Sequence, residues 1–295
     1  MKQAFSLFTI LFYFIVFTTG FSGSAQDTQP YQMLSMKGHI VKSSSNGKSY
    51  QLYVSLPAGY TQNESTRYPV LYLLDANYSF PIASSVHKLL DAAGDIDKVI
   101  IVAIGDEDQS DKQWTISRTL DYTPTSDSFA NTDIARGSNI DIFAVKSGGA
   151  KAFLATIRTD IIPFIDKHYK TTNEHGIAGH SLGGLFAGYC FLNEPDLFSK
   201  YGMSSPSFLW DNSEILTTQK FHATTPANRN TKVFVSIGSL EPKVMFPPID
   251  AFVKSLKEKN YIGLQLTYET FQGETHGSVM AASISRMLKV LYPGN

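Results

Sequence analysis

Apolar positions along the chain fall into three kinds of run. Residues 35–41 and 49–57 alternate apolar and polar, with Asn46-Gly47 between them, which predicts an antiparallel hairpin. Residues 68–74 and 99–104 are continuously apolar instead, as expected of strands covered on both faces in a parallel sheet. Helical spacing appears at 150–169, where Phe153, Ile157, Ile161, Phe164 and Ile165 share one face. Residues 176–191 read as a strand, a tight turn and a helix. Strands near 201–205 and 232–237, a helix over 249–259, a strand over 264–271 and a last helix over 278–291 follow. Strands alternating with helices after an opening hairpin predict an α/β fold with a mostly parallel, doubly wound sheet. Residues 105–147 break this pattern. They are polar, rich in Asp, Ser and Thr, and without sustained period, so a cap-like insertion is expected there.

The first 25 residues differ from all that follows. Lys2 precedes an apolar run over 4–17, and Gly23-Ser24-Ala25 offers a cleavage site before Gln26, the layout of a secretory signal peptide. The run is short for a membrane span. The expectation is an exported protein, periplasmic or secreted, with residues 26–295 as one domain and no stable membrane anchor. Of its 295 residues 43% are hydrophobic, enough to bury one sizeable core. A formal net charge of -1 gives no field that would favour nucleic acid. Cys190 is the only cysteine, so internal disulfides are excluded and Cys190 reads as a small buried hydrophobe.

Gly179-His180-Ser181-Leu182-Gly183-Gly184 carries the chemistry. A serine between glycines, at a strand-to-helix turn, stands clear of the sheet while backbone and helix pass closely. The G-x-S-x-G pattern alone turns up by chance in about one chain in ten of this length, so partners decide the matter. Only His222 and His276 follow Ser181. His222 sits in a polar connection, whereas His276 lies between the last strand and the last helix, where a general base can meet the serine. Glu241 follows a core strand and is favoured as the acid over Asp211. The oxyanion donors expected are the N–H of Leu182 and that of Ala76 or Asn77, after the strand ending at Asp75. Arg118 is read either as a contact for an anionic substrate group or as a bridge to Asp121. Asp106, Glu107, Asp108 and Asp111 lack the glycine and terminal glutamate of a calcium loop and read as a solvated acidic loop.

With these residues assembled, the chain resembles the Putative esterase family of the α/β-hydrolase superfamily, which includes enterochelin and bacillibactin esterases, S-formylglutathione hydrolase and feruloyl esterases. The resemblance rests on residues 68–75, on Arg118-Thr-Leu-Asp-Tyr-Thr-Pro124, on Gly148-Gly149-Ala150 leading into Phe153, and on the turn at Ser181; with His276 it spans about residues 35–292. It implies an α/β-hydrolase fold, a Ser181–His276 pair with an acid at Glu241, and ester hydrolysis without metal or other cofactor. The siderophore esterases are the branch most similar, through the segment that begins at Arg118. Ala76 departs from the glycine that relatives often carry after the strand-end aspartate. A small-molecule ester is the partner implied. An acyltransferase, a polysaccharide esterase or a non-catalytic binding protein on the same fold are the competing classes. The sequence does not set the oligomeric state.

Overall fold

The computed structural model describes residues 36–63, 65–217 and 230–294. The expected leader over 1–25, the expected strand start at 35 and His222 lie outside them. The opening hairpin is β1 (Met36–Lys42) with β2 (Ser49–Ser55), and Gly47 takes the left-handed conformation its turn requires (φ 75°). The core strands are β3 (Tyr68–Leu73), β4 (Ile100–Asp106), β5 (Thr171–His180), β6 (Lys200–Ser204), β7 (Thr231–Gly238) and β8 (Leu264–Phe271). They form one sheet in the order β1-β2-β4-β3-β5-β6-β7-β8. β1 and β2 pair antiparallel, β2 pairs antiparallel with β4, and every later pairing is parallel.

Alternate residues of each core strand serve opposite faces, which is why these strands read as unbroken apolar runs. Val70, Tyr72 and Leu74 join a cluster with α4 (Ala150–Thr156), α5 (Ile162–His168), α6 (Leu182–Asn193) and α8 (Phe246–Lys259). Leu71 and Leu73 join the other, under α1 (Ala76–Ala93) and α9 (Val279–Leu291). Cys190 is wholly buried in the first cluster.

Three elements differ from expectation. Helix α1 has no clear sequence signal, because its buried face mixes Ala76, Phe80 and Ala83 with Ser79, Ser84 and His87, which blurs the apolar period. Residues 105–147 are not irregular: they hold α2 (Asp111–Tyr122) and α3 (Ser128–Gly137). Ser110 and Asp127 cap these helices by accepting from their first-turn N–H groups. Their buried positions include Ser117, Thr119, Asp121 and Asn131, so hydropathy does not mark them. The helix expected over 150–169 is interrupted by a π turn at Ile157–Ile161 between α4 and α5.

Candidate active site

Two strand-to-helix junctions stand side by side at the carboxyl edge of the sheet. β3 and β5 are parallel neighbours, and Leu74 N–H donates to Ala178 at 2.9 Å. Each strand runs into a left-handed residue, Asp75 (φ 57°) and Ser181 (φ 59°), and each is followed at once by a helix, α1 from Ala76 and α6 from Leu182. The first N–H groups of a helix have no partner within it, so Ala76 and Leu182 bring unpartnered donors to adjacent strand ends. The Asn77 side-chain amide donates to the Gln109 carbonyl at 3.2 Å. The glycines around Ser181 are dictated by close approach: a Cβ on Gly179 would lie 2.5 Å from the Gly183 carbonyl carbon, and one on Gly184 would lie 2.9 Å from Pro206 Cα. Ser181 is tied down on both sides, its N–H to Ser204 O at 2.9 Å and its carbonyl to Ser207 N–H at 3.0 Å.

His276 and Glu241 meet although they come from different loops. The His276 Nδ1 and Glu241 Oε2 lie 2.7 Å apart. The other oxygen of Glu241 accepts from Gly238 N–H at 2.9 Å and from the Ser205 hydroxyl. Burial alone would raise the Glu241 carboxyl, but the hydrogen bonds from His276, Ser205 and Gly238 outweigh it and hold the group below its ordinary range. The His276 ring packs against that of His180, with centroids 4.6 Å apart, and His180 is the residue just before Ser181. Burial, then the neighbouring His276, lowers His180 to about 4. His180 is therefore neutral at pH 7 and places no charge beside His276. The Ser181 hydroxyl lies 3.2 Å from the Ser207 hydroxyl. Among the described residues no hydrogen bond joins Ser181 to His276.

Other expected residues are placed differently. Arg118 does not bridge to Asp121, and its guanidinium does not stand free for an anion. It grips Asp75 with two hydrogen bonds, 2.8 Å from Nε and 3.1 Å from Nη2, and stacks on Trp114 at 4.7 Å. Asp121 projects toward β2 instead, where Lys48 meets it at 2.7 Å. Helical neighbours three apart diverge here because each has a better partner on a different strand end. Asp211, the rival acid, opens α7 (Trp210–Thr217) in a left-handed conformation and has no hydrogen bond to His276 among the described residues. The acidic loop after β4 is folded on itself, with Asp106 accepting from Asp108 N–H at 2.9 Å and from the Ser117 hydroxyl. Ser205, Ser207 and the ring contact of His180 were not singled out from sequence. The one available signal was the serine-rich Ser204-Ser205-Pro206-Ser207 at a strand end, in a chain where serine is common.

The Putative esterase family profile matches residues 43–277, most of the chain. The chain belongs to this family. Among curated relatives it is 29% identical over 265 residues to ferri-bacillibactin esterase BesA of Bacillus subtilis, covering 86% of this chain and 89% of that protein. It is 25% identical over 278 residues to a siderophore triacetylfusarinine C esterase of Aspergillus fumigatus, covering 83% and 89% of the two. Among solved structures, the BES protein of Bacillus cereus superposes with a TM-score of 0.76 at 26% identity, over 91% of this chain and 99% of that one. The fold is that of the α/β hydrolases, and the protein is a carboxylic ester hydrolase.

Proposed function

We propose that this chain is an exported serine esterase acting on siderophore-type esters through an acyl-enzyme. Ser181 is the nucleophile, and His276 takes its proton as the hydroxyl turns from Ser207 toward the imidazole. Glu241 fixes the imidazole through Nδ1 and stabilises its charged form. The N–H groups of Leu182 and Ala76 receive the oxyanion. Ala76 is preferred to Asn77 because it stands to α1 as Leu182 stands to α6. Water then releases the acyl group with His276 as general base.

One observation carries this reading: the contacts among these residues close into a circuit. Ser181 touches Ser207; two residues earlier in that loop Ser205 touches Glu241; Glu241 touches His276; and His276 packs on His180, next to Ser181. Three groups distant in sequence converge only where all these links hold. The siderophore class comes from the relatives, which are named for different siderophores. With Arg118 engaged by Asp75, we read the site as suited to a neutral ester, with Leu209, Leu240 and Val244 exposed on the connections that follow β6 and β7. Residues 105–147, carrying α2 and α3, would cap the site. Export rests on the leader over 1–25; none of the described helices is long and apolar enough to cross a membrane.

A fluorophosphonate probe tests the chemistry, and a panel of esters tests the class. Wild-type protein is expected to label at Ser181, and Ser181→Ala to stay unlabelled. Chromatography should then show cleavage of a metal-free catechol trilactone, neutral at pH 7, and slower cleavage of feruloyl or acetyl sugar esters. A wild type that fails to label would overturn the mechanism. Labelling with preference for sugar esters would overturn the class alone.

A further inference from the structure

Ser205 occupies a strained backbone position in the interior. It is wholly buried, its φ is 44°, and it is not a glycine. A non-glycine residue in this left-handed region costs about 1 kcal/mol or more, which glycine would avoid. The local structure leaves it no choice of path. Its N–H is bonded to Ser236 O on β7 at 2.7 Å, and Pro206 behind it lies against Gly184 of α6. A glycine would fit this backbone better and would lose the hydroxyl with the one methylene that carries it. That hydroxyl is spent on Glu241, on the oxygen opposite the one that meets His276.

We propose that Ser205 is a positioning residue for the ester-cleaving reaction, holding the Glu241 carboxylate in the orientation and ionisation state that His276 needs. It rests on the reading of Ser181, His276 and Glu241 given above. A carboxylate with one oxygen fixed by two donors, Ser205 and Gly238 N–H, presents its second oxygen to the imidazole in a set direction. Without the serine, one of the interactions that keep Glu241 ionised is gone, while burial continues to favour the neutral form. The charged or titratable groups facing Glu241 are His276, from the loop after β8, and beyond it His180 at the end of β5.

The test compares Ser205→Gly, Ser205→Ala, Glu241→Gln and the double variant Ser205→Gly/Glu241→Gln, with p-nitrophenyl acetate as substrate across pH 4–9. Ser205→Gly should melt above Ser205→Ala, since both lose the hydroxyl and only the glycine relieves the backbone. Its kcat should nevertheless fall about tenfold at pH 7 with KM unchanged, and the acid limb of its profile should move to higher pH. Ser205→Ala should show the same kinetic change with a lower melting temperature, and the double variant should be no slower than Glu241→Gln alone. A Ser205→Gly enzyme with wild-type kcat and pH profile, beside a slow Glu241→Gln enzyme, overturns the role of Ser205 and leaves the catalytic reading standing. Full activity in Glu241→Gln overturns both. Additive losses in the double variant also overturn it, because Ser205 would then act by some other route.

Discussion

The two edges of the sheet contrast in a way that volume does not reveal. At the amino ends of the parallel strands lies an open cavity of about 930 Å³, lined by Pro69, Lys98, Lys200, Lys232 and Tyr292 among others. Two clefts at the carboxyl edge, near Arg118 and His180, measure about 20 and 10 Å³. Yet three adjacent strands, β3, β5 and β6, end at the carboxyl edge in left-handed non-glycine residues, Asp75, Ser181 and Ser205. No residue lining the large cavity has positive φ. At the carboxyl edge each strained residue also holds a polar partner. These three strained residues lie where several polar groups converge, and space alone marks no such demand.

The contrast is broken most directly by removing the proposed nucleophile. Ser181→Ala is expected to lower kcat for p-nitrophenyl acetate by about 10⁴-fold or more with the fold intact by circular dichroism. Retained turnover would mean that the carboxyl edge is not the reacting centre. Arg118→Ala comes next. It leaves the buried Asp75 carboxylate uncompensated in charge, with the Trp114 indole N–H still donating to it at 3.0 Å, and loss of one partner of a buried pair costs about 3–5 kcal/mol, measurable by urea unfolding. Arg118→Lys should recover only part of this, since an ammonium cannot make the two-point contact. An unfolding energy unchanged by Arg118→Ala would show that the pair does not support the β3 junction. Gly179→Ala is smaller in chemistry but similar in kind: the added methyl meets Gly183 backbone, and about 1–3 kcal/mol of overpacking should accompany lost activity. If stability and kcat both survive it, the close passage of strand and helix is not required.

Much of this edge was legible in the sequence, and the exceptions share a cause. Continuous apolar runs gave β3 and β4 their places, the glycines gave the turn at Ser181, and chain order singled out His276 and favoured Glu241. What stayed hidden depends on polar groups meeting across the fold. Helices α1 and α2 bury three serines, a threonine, a histidine and two aspartates, so the apolar period of their faces is blurred. Arg118 and Asp75 are 43 positions apart, and nothing local distinguishes that pairing from Arg118 with Asp121. Ser205 is one serine among many until its φ and its partner are known. Periodicity reports burial of carbon; it is silent on satisfied polar burial.

The amino edge supplies the smallest effect and the sharpest control. Lys200 is buried there, packed over the Tyr292 ring and touching Glu174. Burial, then the nearby Lys232, lowers Lys200 from 10.5 to about 8. Between those values the unfolded chain binds a proton that the folded protein has released, so this group makes stability rise with pH across that window. Below pH 8 the buried charge opposes folding. Lys200→Met should therefore stabilise the protein at pH 7, by about 1 kcal/mol because the contact with half-exposed Glu174 is lost at the same time. The gain should shrink toward pH 10.5, read as the difference in urea midpoints between variant and wild type at pH 7 and pH 10. Both kcat and KM should stay at wild-type values. A well-folded Lys200→Met enzyme with impaired turnover would erase the distinction between the edges, because the large cavity would then take part in the reaction.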